Sequence, residues 1–578
     1  MSNNRTQCKE PQLIEGRLIN AIGHGQRIPL SKLAITHLEQ TSRPIRIAVD
    51  ISIWLFQMQA GRGGKNPELR TLFYRLLNFL SLPVRPLFVF DGQNKPPFKR
   101  GKAVHAPGAR IVPIIHLSKR LVDLFKFPRH NAPGEAEAEC ARLQSAGVVD
   151  AVMSNDVDAL MFGSTWTVMN FSREGGSTTA ATHVTSYQLA SKLDDVCPPN
   201  VGLDRAGMIL FAMLSGGDYI PSGVPKCGRK LAAEIAEAGF AKDLMEMIIP
   251  EESDMDTKLS EWRERLQDEL DENISGYFQT KHKAVKIPET FPDPQIWEYY
   301  VHPVVSGIDD MELLRRRLDT ASDEEVDVHE IRNFAAAHFE WHYRSGARKL
   351  IRLLAEPLVS HRLRLGQPVM ADIPSYTGLP MLQDIHRSRM SFRTDGLVEL
   401  QVDMVPIDVV GLDLAAEEPN PPLVLPEAVP EVEEEAKGES EGTETVIEAV
   451  AQPHRKPAIT KPYDPYVYEK IWIFEALASI GIPDVLDDWK RRQQATAKPS
   501  PKKSAGRKTR GFRKGPIDPS MKSGSILKYG TIKKARPASI PTNKGDEFLE
   551  SMTSSSPTIP SSSQGYYVPP QAIYTLHR

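Results

Sequence analysis

The chain has 578 residues, 40% hydrophobic and 25% charged, with a formal net charge of −3; this is the composition of an ordinary globular chain of roughly two to four domains. Four scattered cysteines (Cys8, Cys140, Cys197 and Cys227) without a CxxC pair argue against a zinc-finger array and a disulfide framework, and suit a reducing compartment. No apolar run approaches the ~18 residues of a membrane span, and the start of the chain lacks the apolar centre of a secretory signal, so no membrane partner is expected. The near-neutral total hides segregation: residues 431–435 are acidic and residues 498–514 strongly basic.

From residue 28 to about 240, strand-like and helix-like segments alternate, the pattern of an α/β domain with a largely parallel sheet. The run Ile-Arg-Ile-Ala-Val at 45–49 predicts a strand ending in Asp50. A helix is expected from Pro67, capped by Asn66, with Leu69, Leu72, Phe73, Leu76 and Leu77 as its apolar stripe. Pro-Leu-Phe-Val-Phe at 86–90 predicts a second strand ending in Asp91. Lys99, Arg100 and Lys102 follow Pro96-Pro97, and an amphipathic helix near 114–125 precedes the Pro133-Gly134 turn that carries Glu135 and Glu137. Val-Val-Asp-Ala-Val-Met at 148–153 predicts a third strand leading to Asp156 and Asp158, and Leu-Ser-Gly-Gly at 214–217 closes in Asp218. Beyond it come helices over 257–280 and 325–365, and two or three short strands over 389–413 around a Thr394-Asp395-Gly396 turn. A Pro/Glu-rich linker is expected over 415–455, a short helix from Lys470, and a disordered Ser/Pro/Lys-rich tail after about 493.

An α/β sheet sets its ligand site at the carboxyl ends of its strands. If these ends converge, Asp50, Asp91, Glu135, Glu137, Asp156, Asp158 and Asp218 meet in one crevice. Such a cluster repels itself unless cations neutralise it, and oxygen-only donors select Mg2+, Mn2+ or Ca2+. A carboxylate cage holding two metals is a standard device for cutting phosphodiesters. Asp156 and Asp158, two apart at a strand end, share a face by the period of two; the competing reading is a pair of solvated turn aspartates. Glu135 and Glu137 converge only if Glu135 lies in the entry turn, because two residues apart within a helix is about 200°. Their competing reading is first-turn acids that favour the helix dipole; Glu139 fits that reading and stays outside the site. The segment from Gly223 through Lys226, Gly228, Arg229 and Lys230 is a tight turn entering a helix. Its amides and cations suit a phosphate, or else it is a packing element with a solvated basic face. Lys99 and Arg100 either hold phosphate or form an exposed basic loop.

Taken together, Val-Asp-x-Ser-x-Trp, Phe-Val-Phe-Asp-Gly, Ala-Pro-Gly-Glu-Ala-Glu-Ala-Glu-Cys-Ala, Asn-Asp-Val-Asp-Ala-Leu-x-Phe-Gly and Gly-Gly-Asp-Tyr followed by Gly-Val-Pro-x-x-Gly resemble the flap endonuclease/XPG superfamily of structure-specific 5′ nucleases over roughly 28–245. The resemblance implies a PIN-like α/β nuclease core with a mainly parallel sheet, a helix–two-turn–helix extension, a small β module and a disordered tail. It implies two Mg2+ ions, with Mn2+ as a substitute, on the seven acids, a phosphate-contacting Lys99, and duplex DNA gripped near 223–236. The short spacing between Asp91 and Glu135, with Asp-Gly-x-Asn-Lys-Pro-Pro-Phe-Lys-Arg, is most similar to the eukaryotic, fungal-type Holliday-junction resolvase branch. The implied organisation is an N-terminal nuclease region at 28–125, an internal region at 126–220, the DNA-gripping element at 221–245, a helical extension at 246–370, a small, chromodomain-like β module at 371–414, the acidic linker at 415–455, a helical segment at 456–493 and the tail at 494–578. The superfamily begins Met-Gly-Ile or Met-Gly-Val close to the active site; this chain begins Met-Ser-Asn-Asn, so 1–27 is an atypical extension. The implied partners are branched duplex DNA and a second copy of the chain on it, and the implied location is nuclear. Two other readings stay open: a flap or excision-repair 5′ nuclease, and a noncatalytic nucleic-acid scaffold of the same fold.

The tail adds a nuclear import receptor and a cell-cycle kinase as expected partners. Ser500-Pro501-Lys502-Lys503 lies beside 507–514, Arg-Lys-Thr-Arg-Gly-Phe-Arg-Lys. A phosphate at Ser500 adds roughly −1.5 to −2 charge and masks the lysines that an import receptor reads. Ser500→Ala is therefore expected to make the protein constitutively nuclear, and Lys502→Ala with Lys503→Ala to hold it in the cytoplasm. Normal nuclear entry of a fluorescent fusion lacking 495–578 would instead assign the tail to DNA binding.

Overall fold

The computed structural model describes residues 25–58, 65–104, 111–173, 182–188, 203–247, 255–320, 324–366, 382–421 and 463–496. Most of the amino-terminal extension, most of the acidic linker, and the basic tail with Ser500, Lys502 and Lys503 lie outside the described residues.

Strand β1 (Gln26–Pro29) leads into helix α1 (Leu30–Thr41). Strand β2 (Ile45–Asp50) leads into α2 (Ile51–Met58) and α3 (Pro67–Leu80). β3 (Val84–Phe90) leads into a hairpin of β4 (Phe98–Lys99) and β5 (Lys102–Ala103). Helix α4 (Ile111–Leu124), β6 (Arg129–Asn131), α5 (Ala136–Ser145), β7 (Ala151–Met153), the single turn α6 (Asp158–Met161), β8 (Trp166–Arg173) and β9 (Thr182–Gln188) complete the core. The main sheet has the order β1-β9-β8-β7-β2-β3-β6. Five neighbours, β8, β7, β2, β3 and the edge strand β6, run parallel, while β9 pairs antiparallel with β8 and β1. The chain leaves β2 toward β3 on one side and returns to β7 on the other, so strand order reverses at β2 and a crevice opens outside its carboxyl end. Strand alternation supplies a face for each helical layer. Ile45, Ile47, Val49 and Phe88 pack with α1 to α4, and Ala48, Leu87, Val89 and Val152 pack with Ala136, Cys140 and Leu143 of α5.

The stripe expected on α3 is buried, and Phe79 and Leu80 join it. Asn66 does not cap the helix with its side chain: its backbone is left-handed (φ 46°), and its amide instead donates to the His338 carbonyl at 3.0 Å. Tertiary pairing thus displaced the local cap.

The helical extension runs through α7 (Arg205–Ser215), α8 (Arg229–Ile235), α9 (Ala241–Met247), α10 (Met255–Glu272), α11 (Pro294–Val301), α12 (Ile308–Thr320), α13 (Val328–Phe339) and α14 (Tyr343–Leu365). The helix expected over 257–280 stops at Glu272, because Asn273 turns left-handed (φ 49°) and its side chain bonds the Phe278 backbone in both directions. The stretch Glu340-Trp341-His342 is a break and not part of a helix. Glu340 ends α13 with φ 61° and His342 precedes α14 in extended backbone.

Strands β10 (Leu382–Ser391) and β11 (Leu397–Met404) form a hairpin whose turn places Asp395 and Gly396 at positive φ, as the Asp-Gly pair requires. Helix α15 (Pro406–Val410) follows. The expected helix from Lys470 begins instead as β12 (Glu469–Phe474), which pairs antiparallel with β11, and becomes helical only in α16 (Glu475–Gly481) and α17 (Pro483–Thr496). Ile471 and Ile473 are buried in a period of two, which is a strand's signature. The acidic segment is therefore inserted between the second and third strands of one β module.

That module is welded to the nuclease core. Leu400, Ile471 and Ile473 belong to the same continuous apolar cluster as Leu350 and Leu354 of α14 and Phe73 of α3. Phe73 meets Phe339 and Trp341 edge-on at 5.6 Å. Arg332 binds Glu417 through two nitrogens at 2.6 and 2.9 Å, and Arg362 donates to the Val409 carbonyl at 2.8 Å. Truncating Ile473 to Ala should cost about 2–5 kcal/mol and shift one shared unfolding transition, followed by near- and far-UV circular dichroism in denaturant. Two separated transitions, with only the smaller one displaced, would refute the shared core.

Candidate active site

Each expected acid sits at the end or on the flank of an element, and the elements meet at the carboxyl edge of the sheet. Asp50 ends β2, is only 1% exposed, and uses both oxygens: Oδ1 accepts from the Ser52 amide and Oδ2 from the Ser154 hydroxyl, each at 2.9 Å. Asp91 follows β3, is about one-third exposed, and accepts the Ala136 amide at 3.0 Å. The Asp-Gly and Pro-Gly turns lock together: Gly92 donates to the Gly134 carbonyl at 2.8 Å. A Cβ on Gly92 would lie 2.0 Å from the Ala132 carbonyl oxygen, so only glycine permits this approach. Glu135 occupies the N-cap position of α5 in extended backbone and Glu137 lies in its first turn. This is the entry-turn arrangement their convergence requires, and Lys99 Nζ reaches both, at 2.9 and 2.5 Å.

The pair Asp156 and Asp158 converges for a reason other than the one expected. Strand β7 ends at Met153, so no period of two acts there. A chain of turn hydrogen bonds does the work: the Asp156 amide donates to Ser154 Oγ at 3.0 Å and the Asp158 amide to Asp156 Oδ1 at 3.1 Å. Asp218 arrives from the loop after α7, and one oxygen from each of Asp156, Asp158 and Asp218 lies within 4.8 Å of the others. From the β4–β5 hairpin Lys99 points inward, and Arg100, although 40% exposed, turns its guanidinium onto the acids. Lys99 reaches Asp218 at 3.5 Å, while Arg100 binds Asp218 at 2.8 Å and Asp156 at 3.7 Å. Glu139 stays outside: fully buried, it binds His130 Nε2 and the Ser306 amide, each at 2.8 Å, and so holds the chain before α12 against the core.

The glycine-bounded turn and its basic residues follow directly. The loop 216–228 joins Asp218 to α8. Gly223 in it has φ 55°, and a Cβ there would meet the Leu214 carbonyl oxygen at 2.4 Å. Lys226, Gly228, Arg229 and Lys230 are exposed, with Lys230 donating to Gln279 at 2.6 Å.

Three residues of the site escaped sequence reasoning. Tyr219 is buried, donates a hydrogen bond to Glu135 Oε2 and packs on Tyr299 and Tyr300. Ser154 orients Asp50, and Lys95 lies 3.4 Å from Asp91. Tyr219 and Lys95 stand within quoted motifs, but nothing in the sequence shows that Tyr219 faces Glu135.

Burial and mutual repulsion shape the electrostatics. Burial first, then the Asp91 charge, lifts Asp50 to about 7. Burial raises Glu137 and Asp158 well above the usual carboxylate range, and Asp156 less strongly. Burial alone would lower Lys99, but Glu137, Glu135 and Asp156 hold it well above its ordinary value. The buried Asp158 Oδ2 and Asp218 Oδ2 have no hydrogen-bond partner among the described residues. Three cations, Lys95, Lys99 and Arg100, against seven acids leave the crevice negative. Buried carboxylate oxygens without a hydrogen bond, and uncompensated charge, fit hard divalent cations.

Asp50 has an ordinary value of 3.8 unfolded and about 7 folded. Its contribution to stability is therefore full below about pH 4 and is lost as pH rises through about 7. In EDTA the thermal midpoint should fall across that upper range, and excess Mg2+ should restore it more at about pH 8 than at about pH 5.5. Asp158→Asn should raise the EDTA midpoint by about 2–4 °C and reduce the Mg2+ increment. A pH-independent midpoint in EDTA that Mg2+ leaves unmoved would contradict this account.

Three family descriptions match the chain: XPG N-terminal domain over 27–110, XPG I-region over 126–218, and Holliday junction resolvase Gen1 C-terminal domain over 381–492. The last spans β10 to α17 and bridges the acidic insertion. The chain is similar to mouse (Mus musculus) flap endonuclease GEN homolog 1, 29% identical over 231 residues, 36% of this chain and 24% of that protein. It thus spans about a quarter of that relative's length. Among solved structures, the Holliday junction-resolving enzyme GEN1 in complex with product DNA and Mg2+ is 38% identical, with a TM-score of 0.62, covering 82% of this chain and 99% of that one. The eukaryotic junction-resolving enzyme GEN-1 binding with caesium is 40% identical over the same shares, with a TM-score of 0.64. With the nuclease core and the β module both covered at this identity, the chain belongs to the GEN1 branch of the XPG nuclease family.

Proposed function

We propose that the protein is a structure-specific endonuclease that hydrolyses a DNA phosphodiester at branched duplexes, Holliday junctions foremost, with two Mg2+ ions that Mn2+ can replace. The observation that carries this reading is the convergence of Asp156, Asp158 and Asp218 within 4.8 Å, in the same crevice as Asp50, Asp91, Glu135 and Glu137. A GEN1 structure that is 39% identical, in complex with product DNA, Mg2+ and Mn2+, supports the choice of ions. The seven acids would hold the metals, which supply an acidified attacking water and neutralise the leaving oxygen.

The chain's own residues do the rest. Ser52 and Ser154 fix the Asp50 carboxylate, so it needs no reorientation when a cation arrives. Tyr219 fixes Glu135 in the same way. Lys99 and Arg100, which balance the acids in the structure, become available to phosphate oxygens once metal charge replaces theirs. Lys226, in the loop from Asp218, and Arg229 and Lys230, at the start of α8, suit the duplex backbone next to the cut. Acting on branched chromosomal DNA places the protein in the nucleus. The name flap endonuclease carried by the mouse relative makes flap cutting the second reading. Labelled flap, bubble and four-way junction substrates on one gel separate the two, and a protein that binds all three and cuts none is the scaffold.

Asp156→Asn should abolish cutting and keep or tighten junction binding, because it removes a metal ligand and a repulsive charge together. Ca2+ should support binding without cutting, its looser coordination placing the water poorly. Wild-type cutting by Asp156→Asn in saturating Mg2+ would remove this residue from the metal site. Charge reversal at Lys226, Arg229 and Lys230 should flatten the slope of log affinity against log salt by up to about one unit per lost phosphate contact. An unchanged slope would make this helix end purely structural.

A further inference from the structure

Helix α11 carries Tyr300 against the loop that bears Asp218. Asp293 caps the start of the helix by accepting the Gln295 and Ile296 amides, and Arg205 ties its end by donating to the Tyr300 and Val301 carbonyls, each at 3.2 Å. The Tyr300 ring is fully buried and packs on the Tyr219 ring at 4.6 Å. A Cβ on Gly217, the residue before Asp218, would lie 2.6 Å from the Tyr300 hydroxyl oxygen, so the bare glycine makes room for that group. The hydroxyl is buried and forms no hydrogen bond. The nearby Tyr219 amide is itself a donor and offers the phenol proton no acceptor. Packing alone would be served as well by phenylalanine, and a buried hydroxyl without an acceptor is costly. Burial first, then the charges of Asp158 and Asp218, keep the proton on well beyond the ordinary tyrosine range, so the group is a standing donor.

The acids around it are unequally held. Ser154 donates to Asp50 and Tyr219 to Glu135, while Arg100 and Lys99 flank Asp218. Asp158 is different: its Oδ2 is buried with no hydrogen bond, and among the described residues no side chain donates to its carboxylate. It lies in the same cluster as Asp218, within 4.8 Å oxygen to oxygen. A donor without an acceptor and an acceptor without a donor thus border one group of acids. Hydrogen bonds from behind are what orient carboxylates that bind metal. We propose that Tyr300 is a positioning residue for the metal site: its hydroxyl donates to Asp158 when a divalent cation occupies the crevice, and so fixes which carboxylate oxygen faces the ion. This deepens the endonuclease reading above and rests on its metal site.

The test titrates the metal-free full chain with Mg2+, and separately with Mn2+, by calorimetry without DNA. Tyr300→Phe removes the hydroxyl and keeps the ring. Its thermal midpoint in EDTA should equal or exceed that of the wild type, because no formed hydrogen bond is lost. Its metal affinity should fall about tenfold, the low end of the loss when a group behind a ligand is removed. The Mg2+ concentration needed for half-maximal junction cleavage should rise by the same factor. Tyr299→Phe is the control: Tyr299 packs on the same Tyr219 ring, at 5.3 Å, but is only half-buried, and its loss should leave metal affinity unchanged. Wild-type affinity in Tyr300→Phe, or an equal loss in Tyr299→Phe, would overturn the proposal. So would a lower EDTA midpoint in Tyr300→Phe, which would show the hydroxyl serving the packing of the metal-free protein. A wild type that binds Mg2+ but cuts no branched substrate would end the endonuclease reading, and calorimetry would still decide the role of Tyr300. A wild type that binds neither ion would end both.

Discussion

Like charges gathered away from water govern this molecule. Seven carboxylates share one sheet edge, six of them nearly inaccessible, and burial together with mutual repulsion lifts Asp50 to about 7. No single element could hold them. They come from five separate turns or element ends, and each turn is fixed by packing that lies elsewhere. Two of the cations that meet the cluster, Lys99 and Arg100, come from one small hairpin whose own backbone is bonded to the Asp218 carbonyl, and Lys95 meets Asp91. Ligand positions and counter-charges are thus set by the same contacts, and the deficit left over is what a divalent cation would fill.

The same constraint explains the layout around the crevice. Strand order reverses at β2, which opens the sheet edge where Asp50, Asp91 and Asp156 project. Asp218 comes from the helical extension, so that extension must dock firmly. Arg205 donates to the carbonyls of Met161, Tyr300 and Val301, and Tyr219 packs between Glu135 and Tyr300. Glu139 is an acid put to structural use, anchoring Ser306 to α5 with His130. The β module reinforces the core: α14 packs against α3 of the nuclease layer and against α15 and α16 of the module, in one apolar cluster.

Much of this was legible along the chain, for physical reasons that are local. Strands ending in acid announce themselves by β-branched and aromatic runs, which is how Asp50, Asp91 and the segment before Asp156 were found. The Pro133-Gly134 turn predicted that Glu135 would precede the helix and so converge with Glu137, and the backbone at Glu135 is extended as that requires. The stripe on α3 and the Asp-Gly turn at 395–396 follow from periodicity and from glycine's tolerance of positive φ.

What the tertiary structure alone decided are matters of pairing between distant segments. Residues 470–474 are a strand because β11 offers a hydrogen-bonding edge; locally, the apolar residues running on into Glu475-Ala476-Leu477 are equally compatible with a helix. Asn66 caps nothing because His338, remote in sequence, takes its amide. Asp156 and Asp158 share a site through Ser154 and turn hydrogen bonds and not through strand alternation. The inward reach of Lys99 and Arg100 and the placing of Tyr219 against Glu135 depend on a hairpin and a loop meeting across the crevice. Sequence by itself determined the inventory of acids and the elements that carry them, because periodicity and turn chemistry act over a few residues. Which of those groups touch, and which are left free for a cation, is fixed only when long-range packing closes the crevice.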